Sequence, residues 1–335
     1  MTASTHRDGD IAGICAAVSD FEEAAGLTGA ALERLAREGD DGNGSGRVRV
    51  ADLLARRTGV EADLVGFALR FDAETCRLAS SFEAVTTGRG AAVTGGGFLR
   101  RRKVAVAAAG AESLSALLTE LAAALAKADQ VLRLLAHLTG TLKRCHAGAE
   151  TTLEETVMHR RTALAGLEAA QKAAEERRPP LTAARLRPAD AGGAAREEEC
   201  RRLEADLEAA QASERECVAK YRSLDDLAAL LDLYMGALNG QRTVGHTVAA
   251  KLSADVERTV LLGKALQAAA RMAGLSNDAA EALFAAIDPA GPVAQLLALA
   301  EKGWLNHAET MRRKAHADVA FSLRLGEAEG ERHSG

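Results

Sequence analysis

Between Asp41 and Asp52, oxygen-bearing residues stand at every second place: Asp41, Asn43 and Ser45, followed by Gly46, Arg47 and, in twelfth position, the carboxylate of Asp52. This is the spacing of a calcium loop. A hard divalent cation collects oxygen ligands, and a chain that alternates can aim one oxygen from every second residue at a common centre. In that reading Asp41, Asn43 and Ser45 each offer a side-chain oxygen, and Gly46 permits the sharp bend. Arg47 contributes its main-chain carbonyl whatever its side chain does, and Asp52 closes the shell.

The stretch resembles an EF-hand, and its flanks fit: Leu27 to Glu38 reads as an entering helix and Val50 to Thr58 as an exiting one. The resemblance covers residues 27–58 only. It implies that Val48 pairs with a partner loop and that Ca²⁺ is the cofactor. Asp52 stands where the family usually has Glu, and Asp40 where an apolar residue is expected. The shorter carboxylate reaches an ion less easily through both oxygens, so Mg²⁺ competes more strongly and the expected site is of weak to moderate affinity. Turn chemistry alone also selects Gly, Asn and Asp in a surface connector between two helices. A second, decayed copy is legible over Leu275 to Gly303, with Phe284 and Ile287 before Asp288-Pro289-Ala290-Gly291-Pro292. That loop is too short and too poor in oxygen to hold a cation. It reads either as a metal-free companion hand or as a Pro/Gly-punctuated helical turn.

Other chemistry is weaker. Gly88-Arg89-Gly90 and Gly95-Gly96-Gly97 lack the Gly-Lys-Ser/Thr ending of a phosphate loop, and read as a hinge ahead of Arg100-Arg101-Arg102-Lys103. No histidine pair has metal-ligand spacing, no serine sits in a nucleophile elbow, and no catalytic constellation emerges, so the chain reads as non-enzymatic. Five dispersed cysteines without a CxxC fit reduced thiols, and the N-terminal stretch lacks the apolar core of a secretory signal; both point to the cytoplasm. A formal charge of -5 implies no nucleic-acid partner.

The elements that must position these residues are helices. Hydrophobic residues make up 47% of the chain but aromatics only 3%, and Ala, Leu, Glu, Arg and Lys are strong helix formers. No stretch alternates with period two, so the expected fold class is all-α. From Leu114 through Leu118, Leu121, Leu125, Ala128, Leu132 and Leu135 to Thr139 and Leu142, apolar residues recur in steps of four and three. A less regular continuation runs through Ala149, Leu153, Ala163, Leu167, Ala170 and Ala174. A second seam runs from Cys200 through Leu203, Leu207, Ala210, Glu214, Cys217, Tyr221, Leu224, Ala228, Leu231 and Met235 to Leu238. Pro179-Pro180 predicts a helix stop after Arg178.

The expected architecture is therefore a long antiparallel coiled-coil hairpin, or an elongated helical bundle, with an EF-hand-like helical unit at its base. Its divisions are an N-terminal unit over 1–100, a hairpin over 101–274 with a tip loop at 179–194, and a C-terminal unit over 275–335 in which Trp304 anchors the core. Alanine at so many seam positions gives modest burial, which favours self-association or a protein partner along the coiled-coil stripe. The leading functional expectation is a calcium-binding coiled-coil scaffold or adaptor. The alternative is a membrane-active or membrane-remodelling helical protein acting through residues 100–136, although Glu112, Glu120, Lys127, Asp129 and Arg133 are costly in a bilayer.

Overall fold

The computed structural model describes residues 11–39, 44–87, 99–186, 193–272 and 287–333, and the side chains of all of these except 99–111 and 328–333. The described residues are all-α. They form six helices: α1 (Ile11–Glu38), α2 (Ser45–Thr87), α3 (Leu99–Leu186), α4 (Gly193–Met272), α5 (Pro292–Glu301) and α6 (His307–His333). Two compact units are built from them. The first takes Met1–Glu22, Ala55–Leu142 and Gly240–Gly335, and the second Glu23–Leu54 and Lys143–Asn239.

In the first unit the four-three spacing of α3 is its buried face: Leu118, Leu121, Leu125, Ala128 and Leu135 are each 1% exposed or less. Helix α2 adds Val60, Leu64, Phe67 and Phe71, with the last two rings 6.3 Å apart. Burying a leucine is worth about 1.5–3 kcal/mol, so repeated leucines supply what the scarce aromatics do not. This spends the apolar face of residues 114–135 inside the unit. Among the described residues no helix is long and apolar enough to cross a membrane.

Helix α5 is capped from a distance. Its own N-cap, Gly291, has no side chain to offer, and Pro292 follows. Asp129 of α3, 1% exposed, accepts the Val293 N–H at 3.1 Å and does the work of a capping carboxylate. A Cβ on residue 291 would collide with that carboxylate, so the close approach requires glycine. Arg133 holds both Asp129, at 2.9 Å, and Asp288. The loop Asp288–Pro292 is thus organised by α3, and Asp288 also accepts the Ala290 N–H at 2.9 Å. Phe284 lies outside the described residues. Trp304 does not anchor a core: it is 71% exposed, with the Lys302 ammonium 5.9 Å from its ring.

In the second unit α3 and α4 are joined at three levels. Asn239 meets His146 at 2.8 Å, Arg160 donates to Asp225 at 2.7 Å, and Arg185 donates to Glu204 at 2.6 Å. Partner numbers fall along α4 as they rise along α3, so these stretches run antiparallel. Helix α3 does not stop at Arg178; it continues through Pro179 and Pro180 to Leu186. Each proline removes a donor and crowds the preceding turn, at about 3 kcal/mol in a helix interior. The exposed carbonyls of Glu175 and Glu176, which lose those donors, can turn to water. Beyond the prolines Leu181 and Ala184 are buried at 6% and 1% exposure, which offsets the local cost. Residues 187–192 of the expected tip lie outside the described residues.

Candidate functional site

Among the described residues, the densest arrangement of ionisable groups lies in the first unit, where α2, α4 and α6 meet. Helical spacing of four places Lys251 and Asp255 on one face of α4, and Lys314 and Asp318 on one face of α6; Asp72 comes from α2. Lys251 is 3% exposed, Asp255 fully buried and Lys314 7% exposed. Charges this deep are tolerated only when paired and hydrogen-bonded.

The pairing is complete and shared. The Lys251 ammonium lies 2.7 Å from Asp255, 2.5 Å from Asp318 and 3.3 Å from Asp72. The Lys314 ammonium lies 2.6 Å from Asp255, 2.9 Å from Asp72 and 3.1 Å from Asp318. In these contacts every carboxylate turns one oxygen to each ammonium, so three acids form a belt between two basic caps. Arg258 stands outside the belt, 3.6 Å from Asp72, and donates to the Thr75 hydroxyl at 3.1 Å. Three carboxylates face three cations, and the cluster is formally neutral.

Its titration follows from depth. Burial pushes the Asp255 carboxyl up despite its hydrogen bonds to Lys251 and Lys314. Asp72 and Asp318 also feel some burial, but the two lysines outweigh it and hold both carboxyls below the usual range. Burial opposes the charge on Lys314, yet its bonds to Asp255 and Asp72 raise its amine above the ordinary lysine value. A lysine kept firmly protonated cannot serve as nucleophile or base, both of which need a lowered value.

Could the belt hold a metal? Oxygens of Asp72, Asp255 and Asp318 lie within 4.8 Å of one another. The space between them, however, is shared with two ammonium groups, and a divalent ion would add two positive charges to a set already neutral. It would have to displace both lysines. The chemistry of the cluster is that of an ion lock among three helices.

Sequence reasoning passed over this cluster. Lys251 and Asp255 each stand one place before an apolar residue of α4, Leu252 and Val256, and taken singly read as ordinary helix charges. The usable signal is the recurrence of one step on two helices, Lys251-Leu-Ser-Ala-Asp255 and Lys314-Ala-His-Ala-Asp318.

Of the residues singled out for a cation, Ser45, Arg47 and Asp52 lie in the second unit. Asp41 and Asn43 fall outside the described residues. Ser45, Arg47 and Asp52 are all in α2, which begins at Ser45, five residues ahead of the expected Val50. Along a helix, seven residues span about 10.5 Å, so Ser45 and Asp52 are not brought to one centre there. The Arg47 side chain extends to Asp226 at 3.1 Å, and Val48 is 68% exposed. Gly46 is buried in the first turn, where a Cβ would come within 2.9 Å of Leu35 Cδ1; in this helix its missing side chain serves packing. Comparison of the chain with family models, curated proteins and solved structures gave no match.

Proposed function

We propose that the protein is a non-enzymatic helical scaffold or adaptor, in which α3 and α4 form an antiparallel coiled-coil arm that takes a second copy or a partner helix along its seam. The observation that carries this reading is the seam of α4 in the second unit. Cys200, Leu203, Leu207, Ala210, Glu214, Cys217, Tyr221 and Leu224 recur in steps of three and four, and all but Ala210 are only partly buried, as is Leu167 of α3. Half-covered leucines in a heptad stripe gain about 25 cal/mol per Å² when a further helix covers them. Light scattering over a concentration series tests this. The expected result is reversible self-association that Leu203→Glu with Leu207→Glu abolishes. A monomer at every concentration, together with no partner captured in a manner sensitive to those two substitutions, would remove the reading.

A cation at the α1–α2 connection is the second part of the proposal, favoured by the way α1 ends at Glu38 and α2 begins at Ser45, so that two helices bracket Asp41 and Asn43. For Ser45, the Arg47 carbonyl and Asp52 to join one Ca²⁺, the first turns of α2 must unwind, since the helix holds their Cα atoms too far apart and engages the carbonyl. Calcium binding would therefore speed amide exchange at residues 47–51. It would also release heat that Asp41→Ala removes. Heat without unwinding would place the ion elsewhere, and no heat would leave the scaffold without this control.

A further inference from the structure

Helix α6 is attached differently from the other helices of the first unit. Of residues 307–327, only Thr310, Lys314 and Phe321 are buried, and Phe321 is the one large apolar side chain among them. The Thr310 hydroxyl is buried without a hydrogen-bond partner, a cost that docking imposes and release would relieve. By contrast α3 buries Leu118, Leu121, Leu125, Val131, Leu135 and Leu138 at 1% exposure or less. What holds α6 is charge exchange: Lys251 to Asp318, Lys314 to Asp255 and Asp72, and Arg313 to Glu257 at 3.2 Å.

The exchange has a particular symmetry. Each helix carries a Lys-x-x-x-Asp step that also closes on itself, Lys251 with Asp255 at 2.7 Å and Lys314 with Asp318 at 3.1 Å. If α6 leaves, it takes one acid and one base. Two acids, Asp72 and Asp255, stay with two bases, Lys251 and Arg258. Within the belt neither side is left with net charge, while the departing Arg313 leaves Glu257 of α4 without its partner at 3.2 Å. Buried ion sets of this kind contribute little net stability once desolvation is counted, whereas apolar burial of the α3 type contributes much.

We propose that α6 is a releasable strap, which opens as a unit about the Lys302–Asn306 connector while the rest of the first unit stays folded. The proposal does not depend on the scaffold reading. Native-state hydrogen exchange on the full chain, followed by mass spectrometry at rising urea, tests it. Amides of 307–325 should exchange at least about 100-fold faster than those of 117–138, with one shared urea slope that is shallower than that of the main transition. Equal protection with equal urea dependence would overturn the strap. A second arm uses Lys314→Asp with Asp318→Lys, which keeps α6 neutral but sets like charges against like. It should speed exchange over 307–325 by at least about tenfold and leave 117–138 within about twofold of the parent. A parallel loss of protection in 117–138, or no change in 307–325, counts against the proposal; should this variant not fold, the urea series on the parent chain decides.

Discussion

Replacing Lys251 by methionine removes one basic cap of the belt and leaves its length of chain in place. The side chain is 3% exposed and has three carboxylates within 3.3 Å, one of them the fully buried Asp255. Three acids would then face only Lys314 and Arg258, with one negative charge in excess. Breaking a buried pair by removing one partner typically costs about 3–5 kcal/mol, a large share of the roughly 5–15 kcal/mol that holds a domain folded. Taking Asp255 away as well, with Lys251→Met and Asp255→Leu together, restores the balance, because Asp72 and Asp318 then face Lys314 and Arg258. The double variant should recover most of the loss, with a coupling of at least about 2 kcal/mol in the cycle. Urea unfolding followed by circular dichroism reads all three variants at equal slope. A cost below about 1 kcal/mol for Lys251→Met, the range of exposed ion pairs, would refute the reasoning, as would a double variant whose cost equals the sum of the single ones.

Two other perturbations follow from the same geometry. Asp72 and Asp318 are held below the ordinary carboxylate value, so their contribution is present above that value and is lost only as the pH falls through their lower, folded ones; Lys314 is held above the ordinary amine value, so its contribution is complete below that value and is lost as the pH rises through its higher one. Carbon-detected NMR titration of these side chains should find Lys314 still charged at pH 10.5, and an amine already half neutral there would contradict the assignment. Gly291→Ala should cost about 1–3 kcal/mol by forcing Asp129 away from the Val293 N–H, and Asp129→Ala should largely absorb that penalty; equal effects in both backgrounds would mean that the contact is not what selects glycine.

The helical class was legible because alanine and leucine fall in steps of three and four over long stretches, and a periodic apolar stripe needs only the chain itself to be read. Those stripes are the faces that α3 and α4 bury or half-bury. Where a single residue type was read by its usual habit, the structure answered differently. Pro179 and Pro180 were read as a stop, but local propensity is a few kcal/mol and yields to the burial of Leu181 and Ala184 beyond them. Trp304 was read as a core anchor because it is the only tryptophan and follows Gly303 at an expected helix break, and it lies exposed in the turn after α5. Gly46 was read as a bend, and it is a place where Leu35 comes close. Apart from the repeated Lys-x-x-x-Asp step, nothing in the sequence marks the ion belt, because its members are more than 240 residues apart in the chain at the extremes, Asp72 and Asp318, and each taken alone is an ordinary charge on an ordinary helix. Only their convergence makes them a site.

Why charge, where leucine would bind more tightly? An interior built from alanine and leucine is forgiving: a helix can slide along such a stripe by a turn and bury nearly as much. The belt is not forgiving. If α6 slid four residues, Lys314 would occupy the place of Asp318, which stands 2.5 Å from the Lys251 ammonium, and cation would meet cation. The correct register neutralises every group, whereas the neighbouring register strands like charges out of water, where repulsion is poorly screened. A lock of this kind selects position strongly while adding little to affinity. That combination suits an element that must return to one place each time it opens, and it explains how the same six side chains can fix where α6 docks without fixing that it stays docked.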